Sequence, residues 1–208
     1  MDKKYWENYY KDAQVEYQPS PFAQFVFSNY LGNGSSLLEL GCGNGRDSLY
    51  FARHGIKVLA VDQCENEINT LKKTSQNNNL NFIAGDFTQL GEIGTFDKIY
   101  SRFTLHSISE EQEDRVLKWS YDNMTLGGHL CIEARGQKNE IYKLGEKVIG
   151  EEHAYIYNNH YRRFVNIDTL ARKLLKKGFD ILMQEEKKGF APYADTNYTF
   201  LRIIALKK

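Results

Sequence analysis

Ser36-Leu37-Leu38-Glu39-Leu40-Gly41-Cys42-Gly43-Asn44-Gly45-Arg46 is the stretch that decides the fold. The apolar run at 37–40 reads as a buried strand, and glycines at 41, 43 and 45 follow as a turn that tolerates positive φ. The amphipathic stretch 46–54 then reads as a helix, so the turn offers unpaired amide donors at a helix N-terminus. A dinucleotide fingerprint, G-x-G-x-x-G, needs glycine at its sixth position, where this chain has Arg46. A pyrophosphate ligand is therefore disfavoured. Taken alone, the loop could also be a ligand-free strand-to-helix turn.

Outward from the loop, short apolar runs alternate with longer helical patterns, the signature of βα units and a parallel sheet. The further runs are 58–61, 82–84, 98–100 and 129–133, with an amphipathic stretch at 65–74. S-x-x-Q at Ser109 to Gln112 is a capping box for a helix that stops before Gly127-Gly128. A last helix is expected over 167–177, stopped by Gly178, and two strand-like runs close the chain at 179–185 and 198–206. The expected outline is α/β, five βα units ending in a two-strand hairpin. Upstream, Tyr5, Trp6, Tyr9, Tyr10, Tyr17 and Phe22 precede Phe25-Val26-Phe27, and residues 1–35 are expected to form an N-terminal helical lid.

The 208 residues suffice for one α/β domain with additions. The 27 basic and 27 acidic residues balance, so no overall field favours nucleic acid or an anionic membrane. Cys42, Cys64 and Cys131 are scattered without a CxxC pair, which fits a reducing compartment, the cytoplasm by default, and suggests neither zinc nor disulfides. No signal peptide opens the sequence, and no run approaches the roughly 18 apolar residues of a membrane span.

Two aspartates give the loop its meaning. Asp62 ends the second run, where an acidic group would accept hydrogen bonds from ribose hydroxyls. Asp86, within Gly85-Asp86-Phe87 after the third run, could accept the exocyclic amine of adenine while Phe87 packs on the ring. Either alone could be a helix cap; with the loop they spell an adenosine site.

At these residues the chain resembles a class I S-adenosylmethionine-dependent methyltransferase. Residues 37–45 match that family's first motif, Val61-Asp62 its second, Gly85-Asp86-Phe87 its third, and Phe96-Asp97-Lys98-Ile99 the start of its fourth strand. The resemblance implies a Rossmann-like three-layer sandwich, a seven-stranded mostly parallel sheet with an antiparallel last strand, over 36–208. It implies S-adenosylmethionine as cofactor, with Glu39, Gly41, Gly43 and Gly45 around its methionine part, Asp62 at the ribose, and Asp86 and Phe87 at the adenine. Ser101, at the end of the fourth run, joins this cofactor set.

In such folds the ligand lies across the carboxyl ends of the strands, so Ser101-Arg102-Phe103-Thr104-Leu105-His106 and Glu133-Ala134-Arg135-Gly136 face the reacting methyl. The chain lacks the Asn/Asp-Pro-Pro-aromatic motif of nucleic-acid amino methyltransferases and the Pro-Cys motif of cytosine methyltransferases, so a nucleic acid acceptor is not expected. Arg102 and Arg135 are candidate forks for an anionic small-molecule acceptor, against the alternative of solvated loop arginines. His106 is a candidate base and could equally be a packing residue; His160 is the alternative base, and Tyr161 could orient the acceptor. The family resemblance makes 136–165 a substrate-covering insertion, a plain surface excursion being the alternative. A weaker resemblance, on Arg135-Gly136, His160-Tyr161-Arg162-Arg163-Phe164, Glu185-Glu186 and Gly189-Phe190, is to methyltransferases of bacterial capsule and surface-polysaccharide loci. Some of those make O-methyl phosphoramidate decorations. The expected activity is O-methylation of a small polar, anionic acceptor. The competing readings are a tellurite-resistance or thiopurine type acting on a soft nucleophile, and a non-catalytic cofactor-binding regulator.

Overall fold

Leu37 and Leu38 belong to two different cores, because successive strand residues point to opposite sheet faces. That alternation organises three layers. The computed structural model describes residues 5–8 and 18–208; Tyr9, Tyr10 and Tyr17 of the expected N-terminal lid lie outside the described residues.

The sheet consists of β1 (Ser36–Leu40), β2 (Lys57–Asp62), β3 (Leu80–Ala84), β4 (Phe96–Arg102), β5 (Met124–Ala134), β9 (Phe179–Lys187) and β10 (Phe200–Lys207). Their order is β3-β2-β1-β4-β5-β10-β9. β1 to β5 pair in parallel, and β10 runs antiparallel to both its neighbours, β5 and β9. The seven-stranded, mostly parallel sheet read from the family resemblance is thus present. The order reverses at β1 and β4, which opens a crevice at their carboxyl ends.

Helices α1 (Pro21–Tyr30), α2 (Arg46–Arg53) and α3 (Glu65–Thr74) cover one face. Their core contains Phe22, Val26, Leu37, Phe51, Ile68 and Tyr100. Helices α4 (Glu110–Asp122) and α5 (Ile167–Lys176) cover the other, over Leu38, Ile99, Leu117, Leu130 and Leu174. Both halves of the capping box at α4 form: the Ser109 hydroxyl accepts from Gln112 N at 3.2 Å, and Gln112 Oε1 from Ser109 N at 3.0 Å. β5 starts five residues earlier than its apolar run, at Met124, with Gly127 at φ +75° inside it and the register shifting opposite Phe96. Between β5 and α5 the chain forms β6 (Glu146–Lys147), β7 (Ala154–Tyr157) and β8 (His160–Arg163), a separate three-stranded antiparallel sheet. No described helix is long and apolar enough to cross a membrane.

Candidate active site

The glycine loop is tied to the end of β2. Gly41 N and Cys42 N donate to the Val61 carbonyl at 2.8 and 3.0 Å, and Gly43 N donates to Asp62 Oδ2 at 2.9 Å. The other oxygen, Asp62 Oδ1, accepts from Cys64 N at 2.9 Å. Gly41 has φ +72°, and a Cβ there would stand 2.4 Å from the Thr104 methyl, so the loop must be glycine to lie this close to the β4 end. Glu39 is 4% exposed and accepts the Ser48 hydroxyl; burial, reinforced by the Asp47 charge, lifts its carboxyl well above the usual range. Ser101 and Thr104 hydroxyls meet at 2.5 Å. Asp86 accepts Thr88 N at 2.8 Å and Gln89 Nε2 at 3.2 Å, acting as the cap of a single 3₁₀ turn. Phe87 is buried in the main core, its ring edge 3.6 Å from where a Gly41 Cβ would be. These residues lie at the ends of β1, β2, β3 and β4.

Arg102 lies on this same side and is already committed. Its Nε donates to Glu133 Oε1 at 2.9 Å, while Arg202 Nε donates to Glu133 Oε2 at 2.7 Å. Glu133 is fully buried, and the Arg202 guanidinium sits over the rings of Phe190 at 4.1 Å and Phe22 at 4.8 Å. Next to this pair, buried Asp47 accepts from Tyr100 Oη at 2.8 Å and from both Ser20 N and Oγ at 2.7 Å. Phe103, directly after Arg102, has φ +59°, a strained value for an aromatic residue. Its ring lies 4.1 Å beneath the Arg102 guanidinium and stacks on Phe200 at 4.8 Å.

Arg135 is different. Its Nη1 donates to Asn139 Oδ1 at 3.1 Å, its guanidinium rests over the rings of Phe200 at 4.9 Å and Tyr198 at 5.8 Å, and among the described residues no carboxylate pairs with it. Burial, with the Arg162 charge beside it, pushes its pKa down to about 10. His106, on the single 3₁₀ turn Leu105–Ser107, is 4% exposed and accepts Arg135 N at Nδ1, 3.2 Å away. Burial, followed by the charges of Arg135, Arg162, His160 and Arg163, holds its pKa well below the usual imidazole value. Arg163 fastens that turn, donating from Nε to Ile108 O at 2.9 Å and from Nη2 to Leu105 O at 3.1 Å, and pairing with buried Glu113 at 2.5 Å.

The alternation of β8 splits its four polar residues into two faces. His160 and Arg162 share one: His160 stacks on Tyr5 at 3.9 Å, with Trp6 edge-on at 5.1 Å, and Arg162 donates to Tyr157 O at 2.7 Å and bonds the Tyr5 side chain. Tyr161 and Arg163 share the other, and the Tyr161 hydroxyl donates to Glu151 at 2.5 Å. Of the residues expected around the acceptor, the structure therefore gathers His106, Arg135 and His160. Arg102 stands apart because the fixed carboxylate of Glu133 holds it, and Tyr161 because its hydroxyl is bonded to Glu151. Tyr198 and Phe200 were not singled out from sequence, and Arg162 and Phe103 were named there only as members of their segments, with no role of their own. Arg162 belongs to the cationic run 160–163 already visible in the sequence, and strand β8 puts it on the same face as His160.

Residues 37–128 match the family described as "Methyltransferase domain". The chain is 31% identical over 84 residues to cypemycin N-terminal methyltransferase of a Streptomyces species, covering 40% of this chain and 34% of that protein. It is 29% identical over 107 residues to the probable S-adenosyl-L-methionine-dependent methyltransferase TehB of Haemophilus influenzae, covering 50% of this chain and 37% of that protein. The matched segments thus span about a third of the length of these relatives. In fold it is similar to the Burkholderia thailandensis 1,6-didemethyltoxoflavin-N1-methyltransferase, solved with 1,6-didemethyltoxoflavin and S-adenosylhomocysteine bound. The TM-score is 0.71 at 20% identity, over 100% of this chain and 84% of that one. Sheet order, glycine loop and family match agree: residues 37–128 match a methyltransferase domain, in a chain with the class I S-adenosylmethionine-dependent methyltransferase fold.

Proposed function

We propose that the chain transfers the methyl group of S-adenosylmethionine to an oxygen of a small polar acceptor that carries an anionic group. The observation that carries the acceptor half is Arg135, a guanidinium on aromatic walls beside Arg162 with no carboxylate partner among the described residues. Glu140 acts on Arg135 only at a distance, and two partly buried cations without a direct ion pair are favoured by a ligand that supplies the opposite charge. The cofactor half is supported by the loop whose Gly41 leaves no room for a Cβ, and by the buried acids Glu39 and Asp62 on its rim. Glu39, Gly41, Gly43 and Gly45 would take the methionine part, Asp62 the ribose, and Asp86 with Phe87 the adenine end, with Ser101 below the loop. When bound, the cofactor supplies an electrophilic methyl on sulfur.

The protein's task is then alignment: the loop fixes one reactant, and Arg135 with its neighbours fixes the other. Residues 5–8, stacked on His160, and the insertion 136–165 act as its cover. A phosphorylated, phosphoramidate-bearing or sugar-linked acceptor fits this charge. A cytoplasmic role in bacterial surface-polysaccharide synthesis is the setting that the weaker sequence resemblance supports.

Calorimetric titration with S-adenosylhomocysteine tests the cofactor half. Saturable binding is expected, weakened at least about tenfold by Gly41→Ala because the new methyl must displace Thr104; no binding by the unaltered chain sinks the proposal. Methyl-transfer assays on phosphorylated and phosphoramidate acceptors test the other half.

A further inference from the structure

We infer that His106 is a fixed hydrogen-bond donor to the anionic group of the acceptor, through Nε2–H, and is not the proton acceptor of the reaction. The inference rests on the proposed anionic acceptor and assigns the residue's part in binding it. A backbone N–H has only a proton to give. The 3.2 Å contact from Arg135 N therefore places the imidazole lone pair at Nδ1 and the ring proton at Nε2. Nε2 hydrogen-bonds to no described residue, and although the ring as a whole is only 4% exposed this nitrogen is not among the fully buried unpartnered atoms, so the donor stays within reach of a ligand.

Everything charged around the ring favours this form. Arg135 at the end of β5, and His160, Arg162 and Arg163 on β8, are all cationic or able to become so. Glu113, on α4, is already engaged by Arg163 and Lys173. A base at this position would add a positive charge to three arginines, and its one lone pair is spent on the Arg135 amide. A donor, in contrast, joins the arginines in a single task. Arg135 offers its fork, Arg162 adds charge, and His106 adds a neutral N–H, a set matched to the oxygens of a phosphate, phosphoramidate or carboxylate. An amine or other cationic handle is excluded by the same charges.

The tautomer is measurable without cofactor or turnover. Long-range proton–nitrogen correlation spectra of ¹⁵N-histidine-labelled protein at neutral pH are expected to show His106 protonated at Nε2, assigned by its loss in His106→Asn. A proton at Nδ1 overturns the inference. Titration with inorganic phosphate should then shift that Nε2 signal saturably. His106→Asn keeps an acceptor at the δ position for the Arg135 amide and removes the ε donor; phosphate affinity should fall about tenfold, roughly one hydrogen bond to a charged group. His106→Gln returns a donor at the ε position and should recover part of it. Equal phosphate affinity in all three proteins overturns the inference, as does a collapse of kcat in both variants with phosphate affinity intact, the pattern of a lost base. S-adenosylhomocysteine binding, measured in parallel, reports on the cofactor reading alone: its failure leaves the tautomer result standing.

Discussion

Arg102 and Arg135 end neighbouring strands, each beside an aromatic ring, and they have opposite electrostatic situations. Arg102 shares Glu133 with Arg202, so two cations and one buried anion are knit into β4, β5 and β10. Arg135 has an amide oxygen, two rings and another arginine for company. The first arrangement is complete within the protein; the second has no direct ion pair, with Glu140 acting on it only at a distance. Residue type and topological position were the same for both, and what separates them is whether the fold supplies a carboxylate.

Breaking the first region should have the largest effect. Glu133→Gln leaves Arg102 and Arg202 buried without a counter-charge and should cost about 3–5 kcal/mol in urea unfolding. A loss under about 1 kcal/mol would mean that the pair is not what holds these strands. Arg102→Leu and Arg135→Leu then sharpen the contrast. The former should destabilise by about 2–4 kcal/mol, because it strips Glu133 of one partner. The latter should lie within about 1 kcal/mol of the unaltered chain, or raise stability, since it relieves repulsion with Arg162, while abolishing phosphate binding. Equal losses of stability would erase the distinction.

A pH series probes the second region more gently. The folded-state pKa of His106 lies well below its unfolded value of about 6.5, so the unfolded chain takes up this proton first. Its contribution is therefore present above pH ~6.5 and lost as pH falls below it, by at most about 1.4 kcal/mol per pH unit. Stability measured against pH should decline less steeply on the acid side for His106→Asn; parallel curves would contradict the assignment. The smallest effect is at the base of Arg163's support. Ser109→Ala removes the cap of α4, which carries Glu113, and should cost about 1 kcal/mol in thermal unfolding without changing phosphate affinity.

The sheet was legible because its information is local and periodic. Apart from Glu39, residues 37–40 and 58–61 are apolar, as expected of strands covered by helices on both faces, and Ser109 with Gln112 marks the start of α4 whatever surrounds it. The small sheet at 146–163 was not, because polar residues dominate His160–Arg163 and its strands pair with one another away from the core. Arg102 illustrates the limit on the site. Its position at the end of β4 was readable, but its partner is 31 residues away on β5, and only the register of Arg102 with Glu133 brings them together. Likewise, His106 as base or packing residue could not be decided from spacing, since the answer lies in which ring nitrogen meets the Arg135 amide.

The antiparallel β10 between β5 and β9 has a consequence for biosynthesis. Until residues 200–207 have been made, one side of β5 has no strand to pair with, and that strand carries Leu130, Cys131 and Ile132. At 5–20 residues per second, the ribosome needs roughly 3–13 s to travel from residue 134 to residue 200. For that interval the nascent chain exposes an apolar sheet edge, a template for pairing with other chains. The hairpin's late arrival thus leaves this edge open to pairing with other chains until the last strand is made.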